Sequence, residues 1–232
     1  MNVMKIYFVR HGHPDYKTDT LTELGKKQAE AAAERLKNCN IERVFASSKG
    51  RAVQTAEYTA KLFGLEVIQC DFIREIGWGS ADGEPMFGNG QPWVISEKYI
   101  SEGKSFSEKD WQNDELFKNN VVVDSYKTVA DGLDEWLKQL GYKREGDYYR
   151  VTVENVCRNV AIFSHAGSSS AALSHMFNIP FPRMCGIIDI ECTSVTVVEL
   201  SGKTGDLVSP KLRIINDAKH TEGICVDNFY GN

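Results

Sequence analysis

The sequence predicts an α/β protein with a mostly parallel sheet, and three observations support this prediction. Short β-rich apolar segments alternate with segments of helical periodicity along the first part of the chain. Several of these strands end directly in small or charged residues, as in "VRHG", "FASSKG" and "FSHAG". The length of 232 residues suits one domain that carries an insertion. Strands that alternate with helices need crossover connections, which give parallel strands covered by helices.

The first elements follow in order along the chain. Residues 5–10, "KIYFVR", form the first predicted strand, and a helix follows with Thr22 as its N-cap. The second strand is "IERVFASS", and the second helix, "GRAVQTAEYTAKLF", stops at Gly64. The segment "LEVIQC" supplies a third strand. The order strand, helix, strand, helix, strand is typical of a parallel sheet.

The pattern changes between about Trp78 and Glu154. Gly, Pro, Asn and Trp are dispersed through "GWGSADGEPMFGNGQPW" before helical spacing returns and stops at Gly141. All four tryptophans lie in this interval. We interpret residues 78–154 as a cap insertion within a single domain of residues 1–232. Such an insertion would cover the carboxyl edge of the sheet, where open α/β sheets bind ligands.

The remaining chain returns to α/β signals. The segment "NVAIFSHAGSSSAALSHMF" predicts a strand that runs into His165, a turn of small residues and then a helix. The segments "CTSVTVVEL" and "LVSPKLRIIN" alternate like strands joined by the turn "SGKTG". The tryptophans are more typical of core than of ligand contacts, and His175 is interpreted as structural.

Composition excludes several classes of protein. The net charge of −5 gives no basic face for nucleic acid. The N-terminus "MNVMKIYFVR" holds no apolar run long enough for a signal peptide or membrane span, so we expect a cytoplasmic protein without membrane contact. Six cysteines are scattered without a C-x-x-C pair, which predicts reduced thiols rather than a zinc or redox motif. The sequence leaves the oligomeric state open.

The stretch "YFVRHGHPDY" supports two interpretations. His11, His13 and Asp15 form H-x-H-x-D, which could hold a metal and activate a water. Arg10 and His11 belong instead to R-H-G, which places an imidazole beside an arginine as a nucleophile for a phosphoryl group. The other histidines, His165, His175 and His220, show no spacing that completes a metal site.

Charged residues at later strand ends favour the phosphoryl interpretation. Arg51 begins the second helix, where its guanidinium and the helix-start amides could both face an anion. Glu75 follows the third strand, and His165 follows another. The carboxyl ends of the strands in a doubly wound sheet bring such loops together.

These motifs resemble the histidine phosphatase superfamily, the phosphoglycerate mutase-like proteins. The likeness rests on "VRHG", "LTELGKKQA", "SSKGRAVQTA", "REIGWGSADG", "FSHAG", "TSVTVVEL" and "IND". The resemblance implies a mixed six-stranded sheet between helical layers, a covalent phosphohistidine, and neither metal nor cofactor. It assigns roles to six residues: His11 as nucleophile, Glu75 as proton donor and acceptor, and Arg10, Arg51, His165 and Ala166 around the phosphate.

The chain departs from the family pattern at Lys17, where many members carry an asparagine that touches phosphate. Lys17 could neutralise charge or face solvent, and His13 could line the pocket rim or be exposed. His220 is expected in a structural or supporting place. The departures after Glu75, at residues 79–83, leave no helper residues to transfer from the family.

The sequence therefore predicts a metal-independent phosphomonoesterase that acts on a small organic phosphate through phospho-His11. Phosphoryl transfer asks mainly for fixed positive charge and positioning, which two arginines and an imidazole can supply. A phosphoglycerate mutase would share this chemistry, and a protein that only binds a phosphorylated ligand is the alternative from another class.

Overall fold

A computed structural model describes residues 2–104, 110–154 and 157–224. The six helices of these ranges are α1 (Glu23–Leu36), α2 (Gly50–Phe63), α3 (Pro92–Ser101), α4 (Val122–Gln139), α5 (Ala166–Phe177) and α6 (Phe181–Ile187). The main strands are β1 (Asn2–Arg10), β4 (Arg43–Ser47), β5 (Val67–Cys70), β8 (Asn159–Ser164), β9 (Val195–Gly202) and β11 (Lys211–Asp217). Shorter strands are β2 (Pro14–Asp15), β3 (Thr20–Leu21), β6 (Tyr142–Glu145), β7 (Tyr148–Val151) and β10 (Leu207–Val208).

The six main strands form one sheet in the order β11-β9-β1-β8-β4-β5. Strands β1, β8, β4 and β5 pair in parallel, whereas β9 runs antiparallel to both β1 and β11. Five strands therefore point one way and β9 points the other. This confirms the predicted mixed, mostly parallel sheet.

Alternating side chains of β1 show why the sheet is covered on both faces. Ile6 and Phe8 belong to a core shared with α4 and α5, while Tyr7 and Val9 belong to a core shared with α1 and α2. Successive side chains of a strand point to opposite faces, so a strand with both sets buried must lie between two layers. The predicted three-layer α/β/α arrangement is confirmed.

The first two helices begin and end as the sequence predicts. The Thr22 hydroxyl accepts a hydrogen bond from the Gly25 amide at 3.1 Å, which satisfies one free donor at the start of α1. Gly64 ends α2 with φ of +66°, a conformation that glycine adopts without steric cost.

The predicted insertion contains parts of two kinds. Helix α4 packs on the sheet, and the Trp136 ring lies edge-on to Phe45 with centroids 5.2 Å apart. Strands β6 and β7 form a hairpin that pairs with β10 in a second small sheet. In the described residues before α4, Ile95 and Tyr99 of α3, together with Trp111 and Phe117, are buried in the same core cluster as α4 and α5. The extent of a cap over the site remains a prediction.

The C-terminal strand segment "LVSPKLRIIN" divides at Pro210. Residues 207–208 pair with β7, and residues 211–217 join the main sheet beside β9. Proline lacks a backbone donor, so it interrupts the ladder where the chain changes sheets.

Among the described residues no helix is both long and apolar enough to cross a membrane. The five described cysteines are free, and Cys225 lies outside the described residues.

Candidate active site

The predicted site residues follow strands that end at the same edge of the sheet. Arg10 closes β1, and His165 follows the end of β8, the strand hydrogen-bonded to β1. Arg51 lies in the first turn of α2, just after β4, and Glu75 follows β5 and a short 3-10 turn. The structure brings these side chains together because parallel strands present their carboxyl ends at one edge.

His11 is almost fully buried, with 1% of its surface exposed. Its Nδ1 lies 2.7 Å from the carbonyl oxygen of Gly12. A carbonyl can only accept, so Nδ1 carries the proton and Nε2 holds an unshared electron pair. Burial, assisted by the charge of Arg10, lowers the pKa of His11 to about 3. The imidazole is therefore neutral, as a nucleophile must be.

The glycine of R-H-G is required by a close approach between the loop and α1. A Cβ on Gly12 would lie 2.6 Å from the carbonyl oxygen of Gly25. The Gly12 amide donates to the Thr55 hydroxyl at 3.0 Å, and that hydroxyl donates to the Arg51 carbonyl at 2.7 Å. The backbone that carries His11 is thus tied to the helix that carries Arg51.

His165 lies against His11, with the ring centroids 5.1 Å apart and the planes at 62°. Its Nε2 is 2.8 Å from the Ser47 hydroxyl, and its Nδ1 is buried without a hydrogen-bond partner among the described residues. Burial and the neighbouring cations hold the pKa of His165 well below its ordinary value. Ala166, the residue after His165, is the first residue of α5.

Arg10 and Arg51 share one pattern of contacts. The Nη1 of Arg10 donates to the Ile190 carbonyl at 2.5 Å, and the Nη1 of Arg51 donates to the Asp19 carboxylate at 2.5 Å. In the described part of the chain the Nε of each arginine is buried without a partner. Buried polar groups are normally hydrogen-bonded, so two unsatisfied cationic donors indicate a place where an anion binds.

Asp19 is a site residue that the sequence interpretation missed. One carboxylate oxygen accepts from Arg51 and the other accepts from the Gly50 amide at 2.8 Å. The Gly50 amide is therefore occupied by the Asp19 carboxylate, and the expectation that the other helix-start amides face an anion stays a prediction. No local signal in "YKTDT" identifies Asp19, since its partner Arg51 lies 32 residues further along the chain.

Glu75 is held on one side of its carboxyl group. Its Oε1 accepts hydrogen bonds from the Ile76 and Ser168 amides, both at 3.1 Å. A Cβ on Gly167 would lie 2.7 Å from the same oxygen, so this glycine lets α5 approach the carboxyl closely. Burial raises the pKa of Glu75 in spite of the two amides. With Oε1 accepting, Oε2 is the oxygen that can carry a proton.

A buried threonine holds the backbone that carries Arg10. The Thr193 amide donates to the Arg10 carbonyl at 3.0 Å, and Thr193 has φ of +57°, which is rare for a β-branched residue. The Nε2 of His220 lies 3.2 Å from the Thr193 hydroxyl. Among the described residues, this hydrogen bond links His220 to the site through Thr193, which the sequence did not single out.

The H-x-H-x-D side chains engage separate partners. His13 Nδ1 lies 2.8 Å from the Thr22 hydroxyl, and Asp15 accepts from the Lys17 amide at 2.9 Å. The Lys17 residue is exposed. Across residues 2–104, 110–154 and 157–224, no group of three or more His, Cys, Asp or Glu side chains is arranged to hold a metal ion.

His175 and two of the four tryptophans lie in structural positions, whereas the other two tryptophans form an aromatic pair. The Nε2 of His175 lies 2.9 Å from the Asp134 carboxylate. His175 is at the opposite end of α5 from His165. Trp111 and Trp136 are buried, whereas Trp78 is 40% exposed and stacks edge-on with Trp93, their centroids 5.8 Å apart. Trp78 follows Glu75 by three residues.

A sequence profile of the histidine phosphatase superfamily (branch 1) matches residues 6–212. Two curated relatives are probable phosphoglycerate mutases GpmB. The protein from Photorhabdus laumondii is 34% identical over 86 residues, covering 33% of this chain and 40% of that protein. The protein from Yersinia pestis is 30% identical over 93 residues, covering 36% and 43%. The matched region thus spans less than half the length of these relatives.

Solved structures share the fold over nearly the whole chain. A mycobacterial glucosyl-3-phosphoglycerate phosphatase is 20% identical, with a TM-score of 0.60 over 92% of this chain and 99% of that one. A variant of a phosphoserine phosphatase from Entamoeba histolytica, in complex with phosphoserine, is 21% identical, with a TM-score of 0.59 over 94% and 98%.

Proposed function

Because this chain belongs to the histidine phosphatase superfamily (branch 1), we propose that it hydrolyses small phosphate monoesters through a phosphohistidine on His11. The observation that carries the proposal is the neutral His11 ring, whose Nε2 is free to attack while Nδ1 is fixed by Gly12. The unsatisfied Nε groups of Arg10 and Arg51 are the donors for the phosphoryl oxygens. Fixed cationic donors of this kind stabilise the charge of phosphoryl transfer.

In the first step the Nε2 of His11 forms a bond to phosphorus and the bond to the ester oxygen breaks. Arg10 and Arg51 face the equatorial oxygens, and His165 adds a further donor when its Nδ1 carries the proton. The departing oxygen takes a proton from Glu75, whose protonated form is favoured because burial raises its pKa. The alcohol then leaves.

In the second step water attacks phosphorus and the bond to Nε2 breaks. Glu75, now a carboxylate, takes the proton of the water and returns to its starting state. His11 again becomes neutral, because a ring with a pKa of about 3 holds no proton near pH 7. Inorganic phosphate is the product, and no group outside this set is needed for the proton balance.

Phosphoglycerate mutase is a second candidate, because the curated relatives carry that name. The two activities differ in the fate of phospho-His11. A mutase must return the phosphoryl group to a glycerate, whereas a phosphatase gives it to water. The solved structures of similar fold include two phosphatases by name, which favours water as the acceptor.

The test is a phosphate-release screen over sugar phosphates, nucleotides, phosphoglycerates and phosphoamino acids, run in the presence of EDTA. We expect release from at least one class, and an acid-labile, base-stable phosphoryl group on His11 by rapid-quench mass spectrometry. Isomerisation of phosphoglycerate without phosphate release would establish the mutase instead. Activity that EDTA abolishes and one metal restores would return the H-x-H-x-D interpretation.

A further inference from the structure

Asp19 is an acidic residue at the site that neither step of the proposed reaction uses. It lies in the turn between β2 and β3, with φ of +54°, and its carboxylate is 36% exposed. A carboxylate beside a phosphate pocket repels a dianionic ligand, so its presence needs a reason. Its contacts supply one, because both carboxylate oxygens are used to hold other groups in place.

We infer that Asp19 is a positioning residue, which holds the Arg51 guanidinium in the orientation that binds the phosphoryl group. This inference rests on the phosphatase function proposed above. Asp19 contacts Arg51 through Nη1 alone, so the edge of the guanidinium that carries Nε stays free. A guanidinium has five donors in a rigid plane, and fixing one of them fixes the direction of the rest.

The backbone of Asp19 is itself fixed by α2. A Cβ on Gly50 would lie 2.3 Å from the Asp19 carbonyl oxygen, so only glycine lets the turn sit this close to the helix. Asp19 then accepts from the Gly50 amide at 2.8 Å, one residue before Arg51. The carboxylate is thus tied to the same helix turn whose side chain it orients.

The Tyr16 ring covers one face of the Arg51 guanidinium. Its ring lies under the Arg51 Cζ, 5.3 Å from the centroid, while 63% of the tyrosine is exposed. Arg51 itself is only 8% exposed. The cation–π contact holds the guanidinium against the Tyr16 ring, and the Asp19 contact holds its Nη1. The two contacts together leave the Nε edge as the surface that a phosphoryl group meets.

The inference predicts a specific sign for removing the carboxylate. If Asp19 acted mainly by repulsion, Asp19→Ala would strengthen phosphate binding. If it positions Arg51, the same variant weakens binding, since a free guanidinium must be ordered again by the ligand. We expect the dissociation constant of inorganic phosphate, measured by ³¹P NMR titration, to rise about tenfold.

A double-mutant cycle separates positioning from a general structural role. Phosphate binding is measured for wild type, Asp19→Ala, Arg51→Ala and the double variant. We expect the tenfold loss caused by Asp19→Ala to disappear, or to become a gain in affinity, in the Arg51→Ala background, because without Arg51 the carboxylate can only repel phosphate. An equal effect in both backgrounds, or tighter binding in Asp19→Ala, would overturn the inference.

Asp15→Ala is the matched control, because Asp15 carries the same charge in the same β2–β3 hairpin but accepts a hydrogen bond from the Lys17 amide instead. It should leave phosphate binding within about twofold. If Asp19→Ala does not fold, Asp19→Asn keeps the size and one acceptor, and the same cycle is run with it. If the wild-type protein does not bind phosphate at all, the inference is overturned. If phosphate binds and the cycle shows the expected coupling between Asp19 and Arg51, but no substrate is hydrolysed, only the proposed phosphatase function is refuted.

Discussion

Two polar clusters lie at opposite ends of α5 and use their hydrogen-bonding groups differently. The site cluster consists of Arg10, His11, Arg51, Glu75 and His165, and the far cluster consists of Asp134, Arg144, Tyr149, His175 and Asn178. Because α5 has 12 residues, the two ends are about 18 Å apart. Each cluster contains histidine, arginine and a carboxyl group, so composition alone does not distinguish them.

In the far cluster each of the three guanidinium nitrogens donates at least one hydrogen bond. Arg144 donates from Nε to Gly146, from Nη1 to the Tyr149 hydroxyl and the His175 carbonyl, and from Nη2 to Asn178. In the site cluster Arg10 and Arg51 each keep a buried Nε without a partner among the described residues. A cluster with satisfied donors stabilises the fold, whereas one with unsatisfied cationic donors is prepared for an anion.

The largest effect should follow from removing the proposed nucleophile. We expect His11→Ala to lower kcat by about 10⁴-fold or more, because the covalent route is lost. The measurement is phosphate release with the best substrate of the screen, together with mass spectrometry of the quenched enzyme. His13→Ala is the control and should change kcat only a few-fold. Greater damage from His13→Ala than from His11→Ala would contradict the comparison.

Glu75→Gln should slow both steps by about 10²–10⁴-fold, because it removes the proton donor and the base. An aryl phosphate needs little protonation of its leaving oxygen, so the first step should recover with that substrate. A phosphoenzyme should then accumulate, with a burst of phenol close to one per active site. No burst, with no adduct at His11, would exclude either His11 as nucleophile or Glu75 as base.

The pH profile of kcat/KM gives a second measurement of Glu75. Glu75 must begin protonated, so wild-type activity should fall as pH rises through its raised pKa. The acid limb set by His11 should lie near pH 3, where the ring becomes protonated. In Glu75→Gln the alkaline limb should disappear. An unchanged alkaline limb in that variant would assign the titration to another group.

Arg51→Lys should be damaging although it keeps the charge. An ammonium cannot hold Asp19 through one donor and present a second, fixed donor to phosphate as a planar guanidinium does. We expect kcat/KM to fall about tenfold or more, on the scale of one charge-assisted hydrogen bond at about 1.5–3 kcal/mol. Activity near that of wild type would place Arg51 outside the reaction.

The sequence predicted those features of the fold and the site that depend on local sequence pattern. Thr22 caps α1, Gly64 ends α2, and the strand ends place His11, Arg51, Glu75 and His165 at one edge. These features follow from periodicity, capping chemistry and the direction of parallel strands.

Features that depend on distant partners were not predicted. The role of Asp19 depends on its hydrogen bond with Arg51, which is distant in sequence. The packing of α4 on Phe45 likewise depends on the position of the sheet. The β6–β7 hairpin did carry a local signal, the turn residues Gly146 and Asp147, with Gly146 at φ of +61°. That hairpin could have been found from the sequence.

The smallest effect on activity should come from the far cluster. His175→Ala removes the partner of the Asp134 carboxylate, which lies 2.9 Å from the ring, and leaves Tyr149 at 3.4 Å as its remaining neighbour in the cluster. Breaking one hydrogen bond to a charged group costs about 1–3 kcal/mol. For a chain of this size each kcal/mol lowers Tm by about 2–4 °C, which calorimetry can resolve. Because no reacting group touches His175, kcat/KM at 25 °C should stay within about twofold of wild type. The reverse result, an unchanged Tm with a large loss of kcat/KM, would show that hydrogen-bond satisfaction does not separate the two clusters.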